Sequence, residues 1–120
     1  MQERVGKFLR ILKVELEDLE EDINTLAGLT DKRRQDRAIT EYVHMENISL
    51  LKQEFAGIKR IVDELDKIEL VEDETFPDFV ARLKQRCRQT IHSSAYPDAV
   101  CIFVERKIDK VAEYMKSRVV

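Results

Sequence analysis

Turn-forming residues are scarce in this chain, with three glycines and two prolines in 120 residues. An all-β domain of that length needs many more turns, so the chain must be built from long elements. Basic charge is not in excess either. The net charge is −3 and the pI about 5.5, which argues against generic nucleic-acid binding, where a strongly basic domain is expected. The two cysteines lack metal-site spacing and are too few for a disulfide framework. The longest wholly apolar run, Ala99 to Val104, is far too short to span a bilayer. No apolar N-terminal run precedes a cleavage site, so a cytoplasmic location without membrane contact is expected. A Gly-rich phosphate loop, a Ser-His-Asp set and a zinc signature are all missing.

What the chain does hold is 43% hydrophobic and 38% charged residues, a mix that suits a small helical protein. One domain, 1–120, is long enough to bury a core without staples. The charge is unevenly spread. Residues 1–30 carry four basic and seven acidic side chains, net −3, whereas residues 79–118 carry nine and four, net +5. A local basic face on the second half is therefore conceivable, with Arg82, Lys84, Arg86, Arg88, Arg106, Lys107 and Lys110, although these lie on several faces of their helices.

Periodicity organises the chain into four helices. Val5, Leu9, Leu12, Leu16, Leu19, Ile23 and Leu26 alternate four and three apart, the spacing of a coiled-coil seam. They predict helix 1 over Gln2–Ala27, with Gly28 as C-cap and Thr30 or Asp31 as the next N-cap. Phe8, Ile11 and Val14 add apolar surface off the seam, so the first half of this helix should meet more than one neighbour. After Leu16, the positions off the seam are nearly all acidic: Glu17, Asp18, Glu20, Glu21 and Asp22.

Helix 2 is expected from Lys32 to Leu70. Its seam is His44, Ile48, Leu51, Phe55, Ile58, Val62 and Leu65, and a second stripe holds Val43, Leu50, Gly57, Ile61 and Ile68. A hairpin turning at 28–31 would set Leu16 near His44, Leu12 near Ile48, Leu9 near Leu51 and Val5 near Phe55. It would also set the acidic end of helix 1 beside Lys32, Arg33, Arg34 and Arg37, each run opposing its own helix dipole.

After an acidic linker, Glu69–Thr75, come "TFPDFV" and "AYPDAV". Both are the grammar of a helix start: proline is tolerated in the first turn, aspartate suits the dipole, and Phe76 and Tyr96 would plug the ends from just outside. Helix 3 then spans Pro77–His92 and helix 4 Pro97–Ser117. Val80, Leu83, Cys87 and Ile91 face the core from helix 3. Val100, Val104, Ile108, Val111 and Met115 do so from helix 4, with Phe103 beside them. The expected fold is an all-α antiparallel bundle of four main helices, a long hairpin (helices 1 and 2) plus a shorter one (helices 3 and 4).

Three constellations could carry chemistry. Arg86 and His92, with five residues between them, resemble the arginine-x(4–6)-histidine signature of the HEPN helical-domain family. The resemblance implies an all-α bundle and, for many members, metal-independent RNase or toxin activity. There the arginine and histidine act on the scissile phosphate and the 2′-hydroxyl. Arg88 is a second candidate partner for His92, and Cys87 stands where the family often carries a polar residue. The competing reading makes Arg86 and Arg88 surface cations near the helix 3 C-terminus, with His92 capping its last carbonyls.

Second, Glu41 and His44 form a Glu-x-x-His on a helix, half of a di-metal bundle pattern. The full motif is absent, leaving a mononuclear site with Glu15 as the metal alternative, or a hydrogen-bonded histidine that fixes helix register. Third, Cys87 and Cys101 flank the helix 3–helix 4 turn within reach of a disulfide, with buried reduced thiols favoured in the cytoplasm.

None of these outweighs the apolar surplus. The expectation is a non-enzymatic protein-interaction or assembly module without cofactor or metal, its partner another protein or a second copy in a homodimer. The interface candidates are Phe8, Ile11, Val14, Val43, Leu50, Gly57, Ile61 and Ile68.

Overall fold

The computed structural model describes residues 2–117, with side chains for residues 3–116. Arg118, counted in the basic C-terminal third, lies outside the described residues. Four helices follow one another: α1 Gln2–Gln35, α2 Glu41–Leu65, α3 Phe76–Ser93 and α4 Ala99–Ser117. No strand occurs among the described residues. The all-α bundle of two hairpins expected from the sequence is present, with α1 and α2 sharing the most extensive contact.

Helix α1 does not stop at Gly28. It runs on for seven more residues, and no glycine adopts the positive φ that a left-handed cap requires. The true stop is at Arg37, which takes φ 60° although it is not glycine. Its N–H bonds Arg34 O at 3.1 Å, and the next N–H, of Ala38, bonds Arg33 O at 2.8 Å. These two bonds form a Schellman closure. Lys32, Arg33 and Arg34 therefore occupy the last turn of α1, where they suit the dipole, and the expected opposition of charge and dipole does not arise.

The turn at 36–40 replaces the expected one at 28–31. Thr40 caps α2, its hydroxyl accepting from Val43 N at 3.1 Å. The hairpin register shifts with the turn. Asn47 meets Thr30, His44 meets Asp31, Arg34 meets Glu41, and Lys13 reaches Asp66. His44 thus sits near the apex, not beside Leu16.

Helix α2 ends at Leu65, short of the expected Leu70. The linker is held by Arg82, whose guanidinium donates to Glu69 O at 2.7 Å and to both carboxylate oxygens of Glu74 at 2.9 and 3.0 Å. Thr75 then caps α3, accepting from Asp78 N at 3.2 Å. Phe76 is the first helical residue rather than a plug outside the helix, and it is buried. At the other end of α3 a second Schellman closure forms around Ala95, φ 56°, with Tyr96 N donating to Ile91 O at 3.1 Å. Helix α4 begins at Ala99, two residues later than Pro97.

The core is closed where all four helices meet. Phe8, Leu12, Leu16, Ile58, Ile61, Phe79, Ile91, Val100, Val104 and Ile108 are fully buried. All five residues expected to face inward from α4 do so. On α3 the inward line passes through Phe79, which the sequence reading left out, while Val80 packs only at the core's edge. Phe8 stands edge-on to Phe76 and Phe79, at 5.4 and 6.1 Å between ring centroids. Arg4 lies over Phe76 and Arg82 over Phe79, closing this end of the core with cation–π contacts.

Helix α4 runs antiparallel along the first half of α1. Lys107 and Lys110 both reach Glu15 at 3.2 Å, and Val111 and Tyr114 share a shallow groove with Ile11. The cover ends at the start of α4, where Gly57 lies under Tyr96 and Val100. A Cβ on Gly57 would meet Val100 Cγ2 at 3.0 Å and Tyr96 Cβ at 3.3 Å. Beyond that point the α1–α2 hairpin continues alone. Residues 24–35 and 41–53 form a two-helix arm of about 18 Å at ~1.5 Å per residue, within a molecule whose principal extents are 57 × 32 × 18 Å.

Candidate functional site

The arginine and histidine candidates are turned toward separate carboxylates. Arg86 points to α2, donating to Glu64 at 2.9 Å, a carboxylate that also meets Arg60 at 3.4 Å. Arg88 points to α4 and pairs with Glu105 at 2.5 Å. His92 is exposed at the turn, 3.7 Å from Asp98. The hydrogen bond from Arg86 is the main reason that Glu64 stays below the usual carboxylate range, against the upward push of partial burial. Lys84–Asp109, Arg88–Glu105 and His92–Asp98 succeed one another at one-turn intervals on α3. They make a charged edge that sets the phase of α3 against α4.

Glu41, His44 and Glu15 are not brought together. Glu41 is exposed at the apex beside Arg34, and Glu15 is held by two lysines of α4. Among the described residues no three His, Cys, Asp or Glu side chains are grouped to hold a metal. His44 is buried, with Nε2 3.8 Å from Asp31 and Nδ1 without a hydrogen-bond partner among the described residues. Asp31 is kept below its ordinary pKa chiefly by the hydrogen bond from Arg34. His44 thus lies among the polar side chains near the apex, without the hydrogen bond expected of it.

Both cysteines are free thiols. Burial, with smaller contributions from Cys101 and nearby carboxylates, pushes the Cys87 thiol up to about 12. Burial also raises Cys101. A thiol so far from ionisation is a poor nucleophile.

The interface candidates divide into two groups. Phe8, Gly57 and Ile61 are buried in the chain's own core, and Ile11 and Ile68 are half-buried at its edge. Val14, Val43 and Leu50 are exposed, at 58%, 40% and 50%. Val43 and Leu50 belong to a larger surface. Leu26 and Leu29 of α1, exposed at 49% and 41%, line one shallow groove with Leu50 and Asn47 of α2. Tyr42 and Met45 extend the apolar surface around α2 through Leu50.

Val43, Leu50 and Gly57 are seven residues apart on one face of α2. At Gly57 that face is covered by Tyr96 and Val100, and at Leu50 and Val43 it is bare. The sequence reading missed Leu26 as an exposed residue because it followed the core seam, and missed Leu29 because the helix was expected to end before it.

The chemistry of the arm face is apolar and nearly neutral at its centre. Asn47, which interrupts it, donates to Thr30 at 3.1 Å. Comparison with known proteins adds no assignment: no family model matches the chain, and no curated protein or solved structure is detectably similar to it. No helix among the described residues is long and apolar enough to cross a membrane.

Proposed function

We propose that this chain is a non-enzymatic protein-interaction or assembly module that docks an apolar helical partner on the distal arm of its α1–α2 hairpin. The observation that carries the reading is the continuity of one stripe: Gly57 and Ile61 are covered by the chain's own helices, and Leu50 and Val43, on the same stripe, are left bare. A side chain of leucine size gives about 1.5–3 kcal/mol on full burial, so covering Leu26, Leu29, Val43 and Leu50 is a substantial driving force for association. The partner is an amphipathic helix or helix pair, since only another helical surface matches a groove between two parallel-sided helices. A cytoplasmic setting suits the two free thiols.

The RNase reading draws no support from the side-chain arrangement, because Arg86, Arg88 and His92 engage three different carboxylates.

The test compares wild type with a Leu26→Glu, Leu50→Glu variant. Both positions are exposed, so helicity should stay close to wild type, as should thermal unfolding at concentrations where the wild type is monomeric. At least one association of the wild type, with itself or with another helical protein, should be lost in the variant. Identical association behaviour of the two proteins in light scattering and affinity capture would overturn the reading.

A further inference from the structure

We infer that the arm's occupant is a second copy of this chain, packed antiparallel about a two-fold axis that passes between Leu26 and Leu29. This rests on the reading of the arm as a docking face.

The order of residues along that face carries the inference. On α1 it presents Asp22, Leu26, Leu29 and Arg33, spaced four, three and four. Turned end for end, the series has the same spacing. An antiparallel copy therefore sets Leu26 against Leu29 and Asp22 against Arg33, twice over. That is what an isologous interface requires, a patch complementary to itself. Asp22 and Arg33 are both exposed, and neither has an ion-pair partner among the described residues, whereas the adjacent Arg34 is paired with Asp31 and Glu41. On α2, the register set by the Asn47–Thr30 hydrogen bond puts Leu50 level with the axis, where it meets Leu50 of the second copy.

Sterics select the direction. Helices α3 and α4 lie on the side of the hairpin that carries the bare face, beginning at Gly57. A parallel copy would drive its α3–α4 layer into that of the first. An antiparallel copy lays its arm end to end with that layer, its apex toward the α3–α4 turn, and the two arms close into a four-helix bundle.

Sedimentation and light scattering over a concentration series test this. Wild type should approach twice 14.1 kDa as concentration rises. Asp22→Arg and Arg33→Asp should each weaken the dimer by about tenfold, since each replaces two attractive contacts by two repulsive ones. The combined Asp22→Arg, Arg33→Asp chain should recover most of the wild-type affinity. A double variant no better than the single ones overturns the antiparallel register. A wild type that stays monomeric to about millimolar concentration overturns self-association. In that case, loss of a different helical partner in the Leu26→Glu, Leu50→Glu variant leaves the docking reading standing, and no loss of any partner removes both.

Discussion

In the body of the molecule, α1 from Val5 to Leu16 is enclosed by α2 and α4, with Phe8 reaching the aromatic residues of α3. In the arm, the same helix from Asn24 to Gln35 touches α2 alone, and leucines that would be core in the body are half exposed. The apolar patterning of α1 thins between the two regions, from Phe8, Ile11 and Val14 off the seam in the body to acidic residues off it after Leu16. The cover changes too, because α3 and α4, at 18 and 19 residues, cannot cover a hairpin built on 34 and 25. For the leucines that the arm retains, burial is decided by which helix runs out first.

Substitution of core and arm residues should break this comparison most visibly. Phe8→Ala removes a fully buried ring and should cost about 3–5 kcal/mol, whereas Leu26→Ala in the monomeric arm should cost less than about 0.5 kcal/mol. Chemical denaturation at low protein concentration measures both, and equal costs would mean that the arm is not a separate, thinner region.

The glycines sharpen the contrast next. Gly57→Leu drives a side chain into Val100 and Tyr96 and should destabilise by about 1–3 kcal/mol. Gly28→Ala places a methyl group where nothing lies within 4 Å and should stabilise by roughly 0.5–1 kcal/mol through helix propensity. Thermal unfolding of the two variants should shift in opposite directions.

The smallest effects are in pH dependence. Burial raises the pKa of Glu54, which has no ion-pair partner among the described residues. Its carboxylate therefore penalises the fold at neutral pH; the penalty fades as the pH falls through the raised folded value and is gone below the ordinary value of 4.5. Partial burial pushes Glu15 up too, but the hydrogen bonds and charges of Lys107 and Lys110 outweigh it and hold the group below 4.5. Its contribution is present above 4.5 and is lost as the pH falls through its lowered folded value. Glu54→Gln should stabilise at pH 7 and Glu15→Gln should destabilise, each by a few tenths of a kcal/mol, and both differences should vanish in acid.

Much of the body was legible in the sequence because long apolar periodicities survive any error at their ends. The inward line of α4 from Val100 to Met115 is one example. The apex was not legible. Arg37 and Ala95 adopt the left-handed cap conformation without being glycine, so the two helix stops carry no compositional mark. Gly28, which does carry one, lies inside a helix. That single displacement moved the hairpin register and hid Leu29. The arginines of α3 were misleading for a different reason. Their carboxylate partners, Glu64 and Glu105, are 22 and 17 residues away in sequence, and only the packing of α2 and α4 reveals that these charges are already matched. Within the candidate site, Val43 and Leu50 were visible as a second stripe, but which half of the stripe stays bare depends on where α4 begins.

Because α1 runs unbroken from the aromatic cluster at Phe8 to the apex, the molecule behaves mechanically as a stiff rod carried by a socket. A load on the apex is delivered to the core without an intervening joint. A soft point in the arm of that rod is Gly28, which has no side chain to brace it and where an added Cβ would meet nothing within 4 Å. It is level with Leu26 and Leu29 but on a side of α1 turned away from the bare face, so the arm can adjust its curvature there while the socket keeps its shape.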